Sequence, residues 1–386
     1  MSSVIVIGGG VIGASIAYHL ARDGAAVTLV DRCVPASMPS ASWASAGGLR
    51  SQGRHAAEHA ITLAASRRWA TLEGELDAWL EVSRGGHLHV AETESEAAAL
   101  DERIAHDRAG GIAAERIEGG AALGKVVPGL APTVLLGEFT PADGQAHPAR
   151  TARAFARAAV RLGATCQFAD EIRLSEIEGR IGCVTASGDI LRADHVVLAA
   201  GAWSVSLLTS IGIELPIRWR GLQMLLSDVA PPLLTPTLTA MGRNLSLKRS
   251  PSGQMMVGGR WFARPAAPAS SSEPSVEVID AHVARQWSSA VALLPAMASL
   301  KLAQCWAGAE AQTLDSMPLI GSAGPEGLYL ATGFSNHGFQ ISPEIGRLVA
   351  ADLLRGPEPV LAPFSPSRFD ADVDVVAGFR AEPILL

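Results

Sequence analysis

The apolar and polar positions change rhythm three times within the first thirty or so residues. "VIVI", Val4 to Ile7, is an unbroken apolar run of the kind that a strand buried on both faces needs. Three glycines follow, and Val11 to Arg22 then continues at helical spacing without a proline. After Gly24 the stretch "AVTLVDR" returns to strand rhythm and ends at Asp31. A β-α-β unit is predicted. Later, "ADHVVLAAGAWS", Ala193 to Ser204, reads as a strand feeding a turn of small residues. "GLYLATGFSNHGFQISPEIGRLVAADLL" reads as a strand, Leu328 to Ala331, then a glycine-punctuated loop and a helix opening at Ser342 and Pro343. Between these lie "GGHLHVAETESEAAAL", a strand with an acidic helix start, and the alternating stretches "GLQMLLSD" and "QMMVGGRWFA", suited to an antiparallel sheet.

The glycines after the first strand carry the first chemical signal. Gly8, Gly10 and Gly13 form GxGxxG. Gly8 permits a tight turn, Gly10 lets the backbone approach a pyrophosphate, and Gly13 lets helix and strand pack closely, so that phosphates meet the N–H groups at Val11 and Ile12. Asp31 stands near the offset of about 20 residues at which an acidic side chain takes the ribose hydroxyls. It would repel a 2′-phosphate, which disfavours NADP. Arg32 beside it reads as a solvated charge at the rim of the same nucleotide site. FAD and NAD both remain open on this unit alone.

Composition narrows the class. A chain of 386 residues with 48% hydrophobic and 18% charged residues predicts two domains and a sizeable core. A net charge of −7 offers nothing to nucleic acid or an anionic membrane, so a small-molecule substrate is expected. The glycine cluster argues against a membrane span in Val4 to Leu20. Cys33, Cys166, Cys183 and Cys305 lie far apart, with no spacing for zinc or an iron-sulfur cluster. Together with the lack of a signal-peptide pattern, they point to free thiols, no metal and a cytoplasmic protein.

With "ASWASAGGLRSQ", Ala41 to Gln52, these segments resemble the D-amino-acid oxidase superfamily of FAD-dependent amine oxidoreductases, which includes glycine oxidase, sarcosine oxidases and flavin subunits of amine and opine dehydrogenases. The resemblance runs to about Phe369 and includes "WAGAEAQTLDSMPLIG" and "PFSPSRF". It implies an α/β fold: a Rossmann-type FAD-binding domain with an interleaved substrate domain built on an antiparallel sheet. The FAD domain is expected from residues 1–85, 145–217 and 305–370, the substrate domain from 86–144 and 218–304, and a tail from 371–386. "ARPAAPASSSEPSVE", Ala263 to Glu277, is expected to be a mobile loop.

The resemblance also implies site residues. Ser42, Ser45, Ala46, Gly47, Gly48 and Leu49 would pass against the flavin, as would Ala200, Gly201 and Trp203. Gly333, Asn336, His337, Gly338, Phe339 and Gln340 would complete the site. Arg50 matches the position at which monomeric sarcosine oxidase carries a substrate-binding Arg. Its planar fork suits the carboxylate of a substrate, and bonding to the cofactor or to surface carboxylates is the alternative. Arg220, Arg249 and Arg260 are weaker candidates that read as structural. In the same relative a Lys that helps hold the carboxylate stands where this chain has Gln340. His337, ordinarily titrating near neutrality, either steers the protonation of the amine or serves as a hydrogen-bonding group. The helix near Ser342 would aim its positive end at the flavin. Gly308 falls where that relative has its flavin-tethering cysteine, so FAD is expected to be held without a covalent bond. The activity implied is oxidation of a secondary or primary amino acid, or an opine-type amine, to an imine that water hydrolyses. A standalone oxygen-using oxidase, a D-amino-acid dehydrogenase and a non-catalytic flavin subunit are the alternatives. A partner subunit carrying electrons onward, in a hetero-oligomer, is the expected outlet.

Overall fold

The computed structural model describes residues 2–266, 274–369 and Phe379. The predicted β-α-β unit forms with β1 (Ser3–Ile7), α1 (Val11–Arg22) and β2 (Ala26–Asp31). Around it a six-stranded sheet runs in the order Leu319–Ser322, Leu328–Thr332, His195–Leu198, β1, β2, Thr165–Phe168. All its pairs are parallel except that of Leu319–Ser322 with Leu328–Thr332. Both faces are covered, as the continuous apolar runs require. On one face α1 packs against the helices Pro148–Arg161 and Gly338–Arg355, with Ile16, Leu20 and Phe155 fully buried. On the other, Ile5, Ile7, Val196, Leu198 and Leu330 meet a small sheet of Ile172–Ile177, Arg180–Thr185 and Ile190–Leu191.

The second large sheet has ten strands, drawn from both inserts. Its long strand Ile217–Val229 pairs antiparallel with Gln254–Gly259, Phe262–Pro265 and Leu302–Thr313. The last of these runs across residue 305, where the sequence placed a boundary. One pair departs from the antiparallel expectation: Thr237–Ala240 lies parallel to His87–Ala91. It is the seam where the strands of the second insert meet those of the first, so no tight turn dictates its direction.

The stretch expected to be a loop at Ala263 to Glu277 is framed by two short paired strands, Phe262–Pro265 and Val276–Glu277. Its centre, 267–273, and the tail apart from Phe379 lie outside the described residues. No helix among the described residues is long and apolar enough to cross a membrane.

The closing helix begins at Gly338, four residues before the expected Ser342, and carries Pro343 inside it. A proline in a helix lacks the N–H that would bond the carbonyl four residues back. Here that carbonyl, on Phe339, accepts instead from Ser342 Oγ at 2.8 Å. The defect is satisfied locally.

Candidate functional site

A cavity of about 970 Å³ opens where the two large sheets meet. Its nucleotide end is built by backbone. Gly8 turns at φ +110°, and a Cβ there would lie 2.4 Å from Ala199 O. At Gly13 a Cβ would stand 1.9 Å from Gly8 O, so the close packing of α1 on β1 demands glycine at that position. Gly10 caps α1 without a side chain, and no acidic residue occupies its first turn. Val11 N–H donates to Ser42 Oγ at 2.9 Å, while the neighbouring N–H groups at the helix's positive end are placed for an anion. Asp31 accepts from the N–H groups of Gly9 and Cys33 and lines the cavity, which fixes its carboxylate where ribose hydroxyls would bind. These residues fit the FAD that the resemblance implies.

Of the expected residues, Gly8, Gly10, Val11, Ile12, Asp31, Arg32, Ser42, Ser45, Ala46, Gly47, Gly48, Arg50, Ala200, Gly201, Trp203, Gly333, Asn336, His337, Gly338 and Phe339 line this cavity. Gly13 serves from behind it, through packing. Arg32 is not simply solvated, because its guanidinium lies 4.7 Å from the centre of the Trp203 ring. Leu49 is not a cavity residue. It sits in the short strand Gly48–Leu49, 3% exposed, with its side chain in the core.

Gln340 is the clearest correction. Because the helix starts at Gly338, residue 340 is turned inward onto the helix His59–Trp69. Its amide donates to Thr62 O at 3.0 Å, and its backbone carbonyl accepts from Trp69 Nε1 at 2.6 Å. It is 2% exposed and does not face the substrate space. His337 does face it, but as a neutral ring. Burial first, and then Arg54, push its pKa down to about 4, although Glu58 Oε2 lies only 3.6 Å from Nδ1. That burial speaks against titration near neutrality, while Nδ1 is buried without a hydrogen-bond partner among the described residues.

Arg50 lines the cavity, and its guanidinium makes no hydrogen bond or ion pair among the described residues. Burial, with Arg54 and Arg103 nearby, pushes its pKa down to about 9, so it remains a cation at neutral pH. Sequence reasoning missed Arg54 and Arg103 beside it. Arg54 repeats Arg50 after one helical turn's worth of residues, which was a weak signal, whereas Arg103 lies in an insert helix that read only as acidic. His87 and His89 were missed as well, although their alternation along one strand was an available signal. Their rings are held by Thr237 and Thr239, and burial keeps both well below the ordinary histidine range. Lys248, with its pKa pushed down to about 8 by burial, also lines the cavity. Behind the arginines, His59, His106 and Asp107 each bring a ligand atom within 4.8 Å of the others. Asp107 is already engaged there by Gly53 N–H.

Glu310 is the remaining acidic surprise, a lone carboxyl in a strand of small residues. Burial pushes its pKa up to about 8, against the pull of Asn336, Arg260 and Arg220. A carboxyl raised in the folded state contributes stability that is complete below the unfolded value of 4.5 and is lost as pH rises to about 8. Glu310→Gln keeps an acceptor for Asn336 but cannot ionise. Between pH 5 and 9 its thermal midpoint should therefore fall by a few degrees less than the parent's. Identical falls would show that Glu310 ionises in the folded protein at an ordinary pH.

Residues 3–352 match the protein family described as DAO, FAD dependent oxidoreductase. The chain is 30% identical over 382 residues to a glycine oxidase of Pseudomonas aeruginosa, covering 94% of this chain and 98% of that protein. It is 26% identical over 379 residues to an opine oxidase subunit of Agrobacterium tumefaciens, covering 95% and 97%. Among solved structures, L-proline dehydrogenase from P. horikoshii superposes with a TM-score of 0.86 at 25% identity, covering 95% of this chain and 97% of that one.

Proposed function

The chain belongs to the DAO family of FAD-dependent oxidoreductases, enzymes that oxidise amino acids and amines, and from that premise we propose that its substrate is a secondary α-amino acid whose carboxylate is held by Arg50. The observation that carries this reading is the Arg50 guanidinium in the cavity, unpaired among the described residues. A planar fork without a protein partner matches the two oxygens of a carboxylate.

Bound FAD supplies the hydride acceptor for the carbon beside the nitrogen. This chain's residues do the rest. Arg50 anchors the substrate, and Asp31 and the start of α1 anchor the nucleotide. The N-terminus of the helix Gly338–Arg355 directs its positive end at the cavity, favouring negative charge there. Neutral His337 offers hydrogen bonding without adding a charge next to Arg54. As the hydride leaves, the nitrogen lone pair forms the C=N bond, and water then splits the imine into an amine and a carbonyl compound.

The FAD is bound without a covalent link in this reading. Gly308, where a Cβ would meet Ala44 Cβ at 2.2 Å, has no nucleophile to offer, and Cys305 lies exposed three residues earlier in the strand. Electrons pass onward through a partner subunit in a cytoplasmic hetero-oligomer, a reading supported by the likeness to a subunit of opine oxidase. The sequence argument from Gln340 no longer contributes to it.

The test is an anaerobic screen of the holoenzyme against N-alkyl amino acids, opines, prolines and D-amino acids. At least one secondary amino acid should bleach the flavin, acid precipitation should leave the yellow colour in solution, and a dye should be reduced much faster than hydrogen peroxide appears. If no amine bleaches the flavin, the chain is a non-catalytic subunit. Peroxide matching substrate loss would make it a standalone oxidase.

A further inference from the structure

Arg50 is one of three guanidinium groups at this wall of the cavity, and a single carboxylate does not occupy them all. Arg54 spends one nitrogen on Arg50 O, at 2.7 Å, while its Nε and Nη1 are buried without a hydrogen-bond partner among the described residues. The residue is 4% exposed. Arg103 reaches the same wall from the helix Glu94–Ala109 and leaves Nη2 buried and unbonded. It is held over the backbone of Gly53, where a Cβ would stand 2.7 Å from its Cζ. Buried donors of this kind are costly unless something satisfies them.

The carboxylates nearby leave those nitrogens of Arg54 and Arg103 without a hydrogen bond among the described residues. Asp143 accepts from both N–H and Oγ of Ser51. Asp107 takes Gly53 N–H at 2.8 Å and lies 3.9 Å from Arg103. Glu58 faces His337. Glu138 lies 3.1 Å from Arg103 Nε, with its carboxyl held above the ordinary range by burial, and this pairing leaves Nη2 of Arg103 unbonded.

We propose that Arg54 and Arg103 form a second carboxylate seat beside Arg50, which makes the preferred substrate an amine bearing two carboxylates. The inference rests on the amino-acid reading above for the first carboxylate and for the reaction. It adds the second one. A charge-assisted hydrogen bond contributes roughly 1.5–3 kcal/mol, which corresponds to about 10- to 150-fold in affinity.

Thioether analogues test the seat without requiring oxidation. Thiodiacetate and (methylthio)acetate differ by one carboxylate and carry sulfur where the amine would be. Each is titrated into the FAD-loaded protein and followed by the change in flavin absorbance. Thiodiacetate should bind about 10-fold or more tighter, and that ratio should fall towards one in Arg54→Gln or Arg103→Gln. Equal affinities in the parent protein overturn the proposal, as does an undiminished ratio in both variants. If thiodiacetate is preferred but no amine ever bleaches the flavin, the seat stands and the proposed reaction falls. If amines are oxidised without any preference for the second carboxylate, the reverse holds.

Discussion

Arg50→Ala should lower kcat/KM for the amine substrate by about 30-fold or more while leaving the FAD content of the purified protein nearly unchanged. Removing one partner of a desolvated charge pair costs about 2–5 kcal/mol, and 2 kcal/mol alone corresponds to roughly 30-fold. Arg50 meets the condition, since it lines the cavity and has among the described residues no protein partner whose loss would confuse the result. Arg50→Lys keeps the charge and loses the fork, so it should fall between the two. Stopped-flow measurement of anaerobic flavin reduction, normalised to bound FAD, separates the outcomes. If Arg50→Ala lost FAD and the rate per bound flavin held steady, the residue would belong to the cofactor instead.

Gly13→Val should give protein that is largely free of FAD and markedly less stable. The added atoms begin 1.9 Å from Gly8 O and 3.2 Å from Ala199 Cβ, inside the contact between α1 and the sheet. Overpacking of this kind costs about 1–3 kcal/mol or more, and the displaced helix start can no longer present its N–H groups to phosphate. Gly10→Ala is the informative contrast. A Cβ there meets only Ser42 Oγ, at 3.3 Å, so the fold should survive while the backbone's approach to the pyrophosphate is obstructed. The ratio of flavin to protein absorbance, with a thermal melt of each variant, distinguishes the two effects. Full FAD retention in Gly13→Val would remove the packing role.

What could be read in the sequence depended on whether the cause was local. The helix Val11–Arg22 was legible to the residue, because its start is set by glycines and its end by the turn at Gly24. The closing helix was misplaced by four residues because Pro343 looked like a first-turn proline. Only the structure shows Ser342 Oγ on the Phe339 carbonyl. The error then carried into function: a helix begun at Gly338 turns Gln340 away from the cavity, which alignment of a linear motif cannot reveal. Arg103 was invisible for a different reason. It reaches the site from an insert about fifty residues along the chain from Arg50, and nothing near it in the sequence marks it apart from the other charges on its helix.

The order of strands in the nucleotide-binding sheet sets a timetable for synthesis. β1 ends at residue 7, its neighbour His195–Leu198 comes almost two hundred residues later, and the next strand, Leu328–Thr332, comes more than a hundred after that. At translation rates of about 5–20 residues per second, the first strand waits roughly ten seconds or more for one partner. The sheet lacks an interior member, Leu328–Thr332, until the ribosome has made most of the chain. Until His195–Leu198 has been made, "VIVI" is an apolar strand with an open edge, the kind of segment that invites pairing with other chains. Expression of this protein should therefore depend more on chaperone capacity and growth temperature than the depth of its finished core would suggest, and a C-terminal truncation that removes Leu328–Thr332 takes a strand out of the middle of the sheet rather than off its rim.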